Sequence, residues 1–223
     1  MDTLLQVFFN TDIVREVWPF LLKGLAMTVG LSLLVVPLGL AAGLGVALAG
    51  SYGARWLRWS TIVYVDFFRA FPPLVLLILI YFGFPFLQID MPKFLAVALG
   101  FTLNTSSYYG EVFRAGLQSI PRGQMEAARS TGLTQRQALA HVIIPQATRN
   151  VLPELIGNTL EVIKLTTLAS VVALPELLNN ARQAQALTYN ATPIVLAALM
   201  YLALLWPLVR LLSRLEHRAI RMR

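Results

Sequence analysis

The sequence lacks cysteine altogether and has only two histidines among 223 residues, and no more than 13% of its residues are charged. The absence of cysteine excludes a disulfide framework, a thiolate nucleophile and a cysteine metal site. His141 and His217 stand far apart along the chain, which argues against a histidine metal site. No GxxxxGK[ST] phosphate loop is present, so nothing in the chain cradles nucleotide phosphates. No nucleophile and base occur together in a recognisable constellation, which argues against an enzyme. The scarcity of charge matters most, because soluble domains carry about 25% charged residues.

Apolar residues make up 57% of the chain, and several uncharged stretches reach the roughly 20 residues that cross about 30 Å of hydrocarbon as a helix. Charge is missing from Gly24 to Ala54, from Ala70 to Ile89, between Lys93 and Glu111, and between Arg182 and Arg210. A fifth, more polar candidate at 151–175 contains Glu154, Glu161 and Lys164. The reading is an all-α membrane protein, a single transmembrane domain over 1–223 with five spans near 20–49, 70–89, 93–117, 151–175 and 193–212. Asp2, Asp12, Arg15, Glu16 and Lys23 precede the first clean run. That arrangement lacks the short basic leader of a signal peptide, so the run is expected to remain in the mature protein.

The formal charge is +7, and its placement reports topology. Arg55 and Arg58 follow the first span; Arg114, Arg122, Arg129, Arg136 and Arg149 lie between the third and fourth; Arg210, Arg214, Arg218, Arg221 and Arg223 follow the fifth. These fall on one side of an alternating chain, whereas the other side receives Arg15, Lys23, Lys93 and Arg182. The positive-inside rule puts the N-terminus outside and the C-terminus inside. The charge therefore needs no nucleic-acid ligand.

Local signals add detail. Trp18-Pro19-Phe20 suits a membrane interface, so residues 1–19 are expected on the outer surface. Gly39, Gly43 and Ala47 recur every fourth residue, either as a close-packing face or as glycine that is simply frequent in membrane helices. Pro72 and Pro73 favour a helix start or a kink. The short loop from Gln88 to Pro92 makes spans two and three an antiparallel pair. Between 118 and 150, Pro121 suits a first helical turn, Gly132 a left-handed helix end, and Thr134 with Gln137 a capping box. Pro145 is expected to stop the second helix. The segment reads as a short cytoplasmic coupling helix-turn-helix.

Within it stands EAARSTGLTQRQALAHVIIPQA. Glu126, Ala127, Ala128, Gly132, Val142, Ile144 and Pro145 match the cytoplasmic signature of the permeases of ATP-binding-cassette importers, which the chain therefore resembles. Small Ala127 and Ala128 keep one helix face thin enough for a cleft in another protein, Glu126 orients it, and Gly132 permits the reversal. Phe68-Arg69 before Pro72, the stretch Asn104 to Pro121, and Asn158, Lys164, Thr166, Thr167 and Leu168 are similar to the polar amino acid branch. The chain departs from that branch at Ala70-Phe71, where Gly-Thr is usual, at Leu165, where Asp is usual, and at Glu161, a place more often apolar.

The resemblance implies a subunit that binds no cofactor and is not itself an enzyme. ATP-Mg would sit on two ATPase subunits, with a second permease chain and an extracytoplasmic solute-binding protein completing an importer in the bacterial inner membrane. Intramembrane polar residues are candidates for the solute pathway, since charges facing lipid are costly. Asn104, Ser107, Tyr108 and Glu111 share one helix face, and Glu154, Asn158 and Glu161 form another, with Lys164 able to pair with Glu161. Structural ties between helices, Glu111 to Arg114 and Glu161 to Lys164, are the other reading of these residues. An ion-coupled secondary transporter is the alternative function.

Overall fold

The computed structural model describes residues 6–221, with side chains as far as Leu215; the positions named above at Asp2, His217, Arg218, Arg221 and Arg223 lie outside those side chains. Among the described residues every element is helical. The order is α1 Thr11–Tyr52, α2 Arg55–Ala70, α3 Pro73–Ile78 continued by a π turn Leu79–Gly83 and a 3-10 turn Phe84–Leu87, and α4 Lys93–Gln118. There follow α5 Arg122–Ser130, α6 Gln135–Ala138, a π turn Leu139–Ile143, α7 Ile144–Asn150 and α8 Leu152–Leu165 with a 3-10 turn Thr166–Val172. Last come α9 Leu177–Thr188 and α10 Thr192–Arg221.

Among the described residues three helical stretches are long and apolar enough to cross a membrane, at Gln6–Tyr52, Leu152–Val172 and Thr192–Leu215, and Arg55–Ala70 with Pro73–Leu87 passes as a broken fourth. Helix α4 has 26 residues, ample length at 1.5 Å per residue. Its run Asn104-Thr105-Ser106-Ser107 lowers its hydropathy, and all four of these side chains are buried in the protein.

Helix α1 has 42 residues, roughly 63 Å and about twice the hydrocarbon thickness. Residues 11–19, part of the segment expected on the outer surface, form its first turns. Asn10 caps it by accepting from the backbone N–H groups of Asp12 at 3.0 Å and Ile13 at 3.3 Å, as a short polar side chain does at a helix start.

The chain divides into two compact units. The first combines 1–35, 73–101 and 160–211. In it Val17 and Leu21 of α1 pack with Leu177, Ala181 and Ala184 of α9 and with Leu196, Ala197 and Met200 of α10. Lipid is as apolar as these side chains, so close packing and hydrogen bonds hold such helices together. Gly24 supplies the closeness, since a Cβ there would stand 2.9 Å from Leu177 Cα. Thr28 Oγ1 accepts from Leu177 N at 3.1 Å, and Asn180 Nδ2 donates to Phe20 O at 2.9 Å.

The second unit combines 36–72, 102–159 and 212–223. Here the small-residue stripe of α1 is a packing face. A Cβ on Gly39 would lie 2.6 Å from Thr105 Oγ1, and one on Gly43 would lie 2.6 Å from Tyr109 Cβ and 2.9 Å from Gly110 N. Ala47, the third member, is buried at 2% exposure.

Gly132 has φ +87, the left-handed conformation expected at the turn after α5, and Thr134 with Gln137 forms the complete capping box of α6. Pro145 departs from expectation. The helical run continues from Gln135 to Asn150, with Pro145 near the start of α7. A proline has no N–H and its ring crowds the carbonyl four residues back. The π turn before it absorbs this crowding: Ile144 N donates to Leu139 O, one residue further than α-helical spacing.

Candidate functional site

The polar face of α4 lies against the end of α2, and the reason begins with two prolines. In an uninterrupted helix the carbonyls of Phe68 and Arg69 would accept from the N–H groups of residues 72 and 73, but these are Pro72 and Pro73 and have none. Asn104 Nδ2 donates to Phe68 O at 2.9 Å and Tyr108 Oη donates to Arg69 O at 3.4 Å. The two carbonyls orphaned by the prolines are thus the two that the α4 face serves, as apolar surroundings require. Asn104 is 3% exposed. Ser107 bonds to Asn104 O of its own helix at 2.6 Å.

One turn further, Arg114 Nε donates to Glu111 Oε2 at 2.9 Å while its Nη2 bonds the other carboxylate oxygen, a bidentate pair. The Arg69 guanidinium lies over the Tyr108 ring, 5.5 Å from its centre, within cation–π range. The face therefore mixes two functions in four residues: Asn104 and Tyr108 brace a break in the backbone, and Glu111 fixes an arginine. Tyr64 Oη, 2.6 Å from Ser106 Oγ and 3.1 Å from Leu103 O, ties α2 to α4 again.

The second polar set is divided between the units. Asn158 belongs to the second, half-buried and with no side-chain hydrogen bond among the described residues, whereas Glu161, Lys164, Thr166 and Thr167 belong to the first. Lys164 Nζ pairs with Glu161 Oε1 at 2.7 Å, and their side chains are 54% and 68% exposed. Thr166 and Thr167 give their hydroxyls to the carbonyls of Ile163 at 2.6 Å and Lys164 at 2.8 Å. Glu154 is exposed.

Sequence reasoning overlooked Glu176, the deepest carboxylate among the described residues, with 0% exposure. It caps α9, accepting from Leu178 N at 2.8 Å and Asn179 N at 2.6 Å, and it accepts the Tyr201 hydroxyl at 2.9 Å. Burial pushes its carboxyl above the usual carboxylate range, opposed by those three donors and by the Arg182 charge. The available signal was Pro175-Glu176 ahead of an apolar helical pattern, a weak one because glutamate is not a preferred cap.

The seven signature positions form one surface piece. Glu126 and Ala127 are exposed on α5 and Ala128 is buried; α5 packs on the π turn that carries Val142, and Ile144 and Pro145 open α7. The Glu126 side chain has no hydrogen-bond or ion-pair partner among the described residues. Exposed His141 bonds to Gln137 O at 2.9 Å. Among the described residues no three His, Asp or Glu side chains gather to hold a metal.

The family described as "Binding-protein-dependent transport system inner membrane component" matches residues 36–221, a span that includes all seven positions. The chain belongs to this family. Relatives of the permease include the probable amino-acid ABC transporter permease protein YckA of Bacillus subtilis (strain 168), 36% identical over 89% of this chain and 88% of the relative. The probable glutamine ABC transporter permease protein GlnM of the same organism is 33% identical over 94% and 97% of the two chains. Among solved structures, one described as an amino acid ABC transporter with histidines aligns with TM-score 0.81 and 34% identity, covering 92% of this permease and 96% of its own chain. The MetNI methionine ABC transporter shares the fold at TM-score 0.70 and 22% identity over 91% and 95% of the chains.

Proposed function

We propose that the permease carries a polar amino acid or amino-acid-like solute across a bacterial cytoplasmic membrane as one subunit of an ATP-driven importer. It pairs with a second permease chain, identical or sister, and takes its solute from an extracytoplasmic binding protein. Two ATPase subunits holding ATP-Mg dock on the surface of Glu126, Ala127, Ala128, Gly132, Val142, Ile144 and Pro145. The single observation that carries this reading is that surface: a helix, a glycine reversal and a second helix, leaving the Glu126 carboxylate and Ala127 exposed, with no side-chain partner for Glu126 among the described residues. Relatives named as amino-acid permeases support the solute class. Asn158, Glu161, Lys164, Thr166 and Thr167 contribute to the solute pathway, together with Asn104, Ser107, Tyr108 and Glu111. Within the α4 group, Asn104 and Tyr108 act by holding the proline break. Five spans, with α4 as the third, place residue 12 outside and the signature inside.

Two experiments test the proposal. In the assembled transporter Gly132→Val and Glu126→Arg are expected to leave membrane insertion intact and abolish coupling of ATP hydrolysis to uptake, because a β-branched residue is penalised at positive φ and a reversed charge misdirects docking. Normal uptake with both substitutions would remove the docking assignment, and uptake that follows a proton gradient without ATP would replace it with an ion-coupled carrier. For topology, single cysteines at Asp12, Arg55, Asp90, Gln124 and Arg221 can be probed in intact cells with an impermeant thiol reagent. Labelling is expected only at positions 12 and 90, and strong labelling at 124 would refute the arrangement.

A further inference from the structure

A chamber of about 900 Å3 opens in the second unit, walled by the end of α1, by α2, by the end of α4 and by α5. Four arginines, Arg58, Arg69, Arg114 and Arg122, and three carboxylates, Asp66, Glu111 and Glu126, line it. Some of these charges are already used. Glu111 and Arg114 hold each other, and Arg69 lies on Tyr108. Among the described residues Arg58 spends only its Nε, on Gly53 O at 3.0 Å. Asp66, Arg122 and Glu126 have no side-chain partner among the described residues. Helix α5 also opens onto the chamber without a side-chain cap, which leaves first-turn N–H donors available.

The chamber thus offers unpaired charge of both signs within one concavity. A simple cation would leave the Arg122 and Arg58 guanidiniums unmatched, and a simple anion would leave Asp66 unmatched. A molecule bearing both an ammonium and a carboxylate satisfies both, and guanidinium is well shaped for carboxylate. We propose that this chamber is a binding site for a zwitterionic amino acid, its ammonium directed to Asp66 and its carboxylate to Arg122. Arg122 and Glu126 both stand on α5, so an occupant bears directly on the helix that carries the docking signature. The ligand class rests on the amino-acid reading above, while the site itself lies apart from the residues assigned there to docking, Glu126 excepted.

The test uses the whole transporter, with its ATPase subunits, in nanodiscs without nucleotide or binding protein. Equilibrium dialysis with radiolabelled L-glutamine, L-arginine, L-glutamate and L-leucine is expected to find at least one that binds at or below about 10 mM. For the amino acid that binds, its amine-free and carboxylate-free analogues are expected to compete at least about tenfold less well. Asp66→Asn and Arg122→Gln are each expected to weaken binding about tenfold or more, equivalent to about 1.4 kcal/mol, whereas Asp12→Asn leaves it unchanged. The analogue series is read on the unmodified chain, so it stands even where a variant fails to assemble. The proposal is overturned by no binding of any of the four, by single-charge analogues binding equally well, or by binding indifferent to Asp66 and Arg122. Phosphatidylethanolamine carries a related charge pair; if amino-acid binding seen in phosphatidylglycerol discs vanishes in phosphatidylethanolamine discs, the chamber belongs to a lipid headgroup and the proposal also fails. ATP-driven uptake measured alongside separates the two claims. Retained uptake without chamber-dependent binding sinks this inference alone, while loss of all amino-acid uptake by the unmodified complex sinks the functional reading.

Discussion

Glu161 and Glu176 are fifteen positions apart in the first unit, and they occupy opposite environments. Glu161 has one partner, Lys164 at 2.7 Å, on a 68% exposed side chain. Glu176 is fully buried, with two backbone N–H groups and a tyrosine hydroxyl on its oxygens. An exposed ion pair three residues apart on a helix contributes little, because water and side-chain entropy offset its Coulomb attraction. A buried carboxylate is instead committed to its donors, since removing it leaves each of them unpaired where water does not reach. The lesson is that a carboxylate's weight in this permease follows its donors, not its proximity to a cation.

The largest expected effect follows from that contrast. Glu176→Ala should cost about 2–4 kcal/mol of stability, several donors at roughly 1–3 kcal/mol each with partial relaxation, read as loss of assembled protein and a lower melting temperature in detergent. A cost below about 0.5 kcal/mol would erase the distinction between the two glutamates. Next is the proline break. Asn104→Leu strands Phe68 O in an apolar setting and should cost about 1–3 kcal/mol, whereas Tyr108→Phe, losing only a 3.4 Å bond, should cost under about 1 kcal/mol. Equal losses from both would mean that Asn104 does not serve the orphaned carbonyl.

A pH series sharpens the comparison further. The folded-state pKa of Glu176 lies above its ordinary value of 4.5, so the folded chain holds that proton more tightly than the unfolded one. Its contribution is fully present below about pH 4.5 and declines as pH rises through the raised value. Glu176→Gln, which cannot ionise, should flatten that part of the melting-temperature profile, and an unchanged slope would assign it to other groups. Tyr201 and Arg182 are the other titratable groups acting on this site. The smallest effect on stability belongs to Glu161→Gln, expected within about 0.5 kcal/mol while shifting the preference among solutes in an uptake competition assay. If it instead lowers protein yield strongly, and Glu161→Gln with Lys164→Gln restores both yield and the original preference, the pair is structural and Glu161 leaves the solute pathway.

Much of the molecule was legible without coordinates. Charge-free runs identify membrane helices because an unpaired charge in lipid is costly, and the reversal at Gly132 and the capping box at Thr134 and Gln137 are local, so neighbouring residues suffice to specify them. The seven-position signature was equally readable, being contiguous chemistry at fixed spacing. What stayed hidden depends on partners distant in sequence. Pro72 and Pro73 announced a break, but only the fold puts Asn104 and Tyr108 beside the two carbonyls they strand. The glycine stripe of α1 remained ambiguous until Tyr109 and Gly110 stood against it. Pro145 misled because a π turn, a backbone adjustment with no residue code of its own, relieved the clash that should have ended the helix. Sequence alone determined that the chain is helical, membrane-borne and marked by the seven-position signature of its family. The tertiary structure decided which polar side chains brace, which pair and which stand open, because burial and hydrogen-bond partners are properties of packing between remote segments.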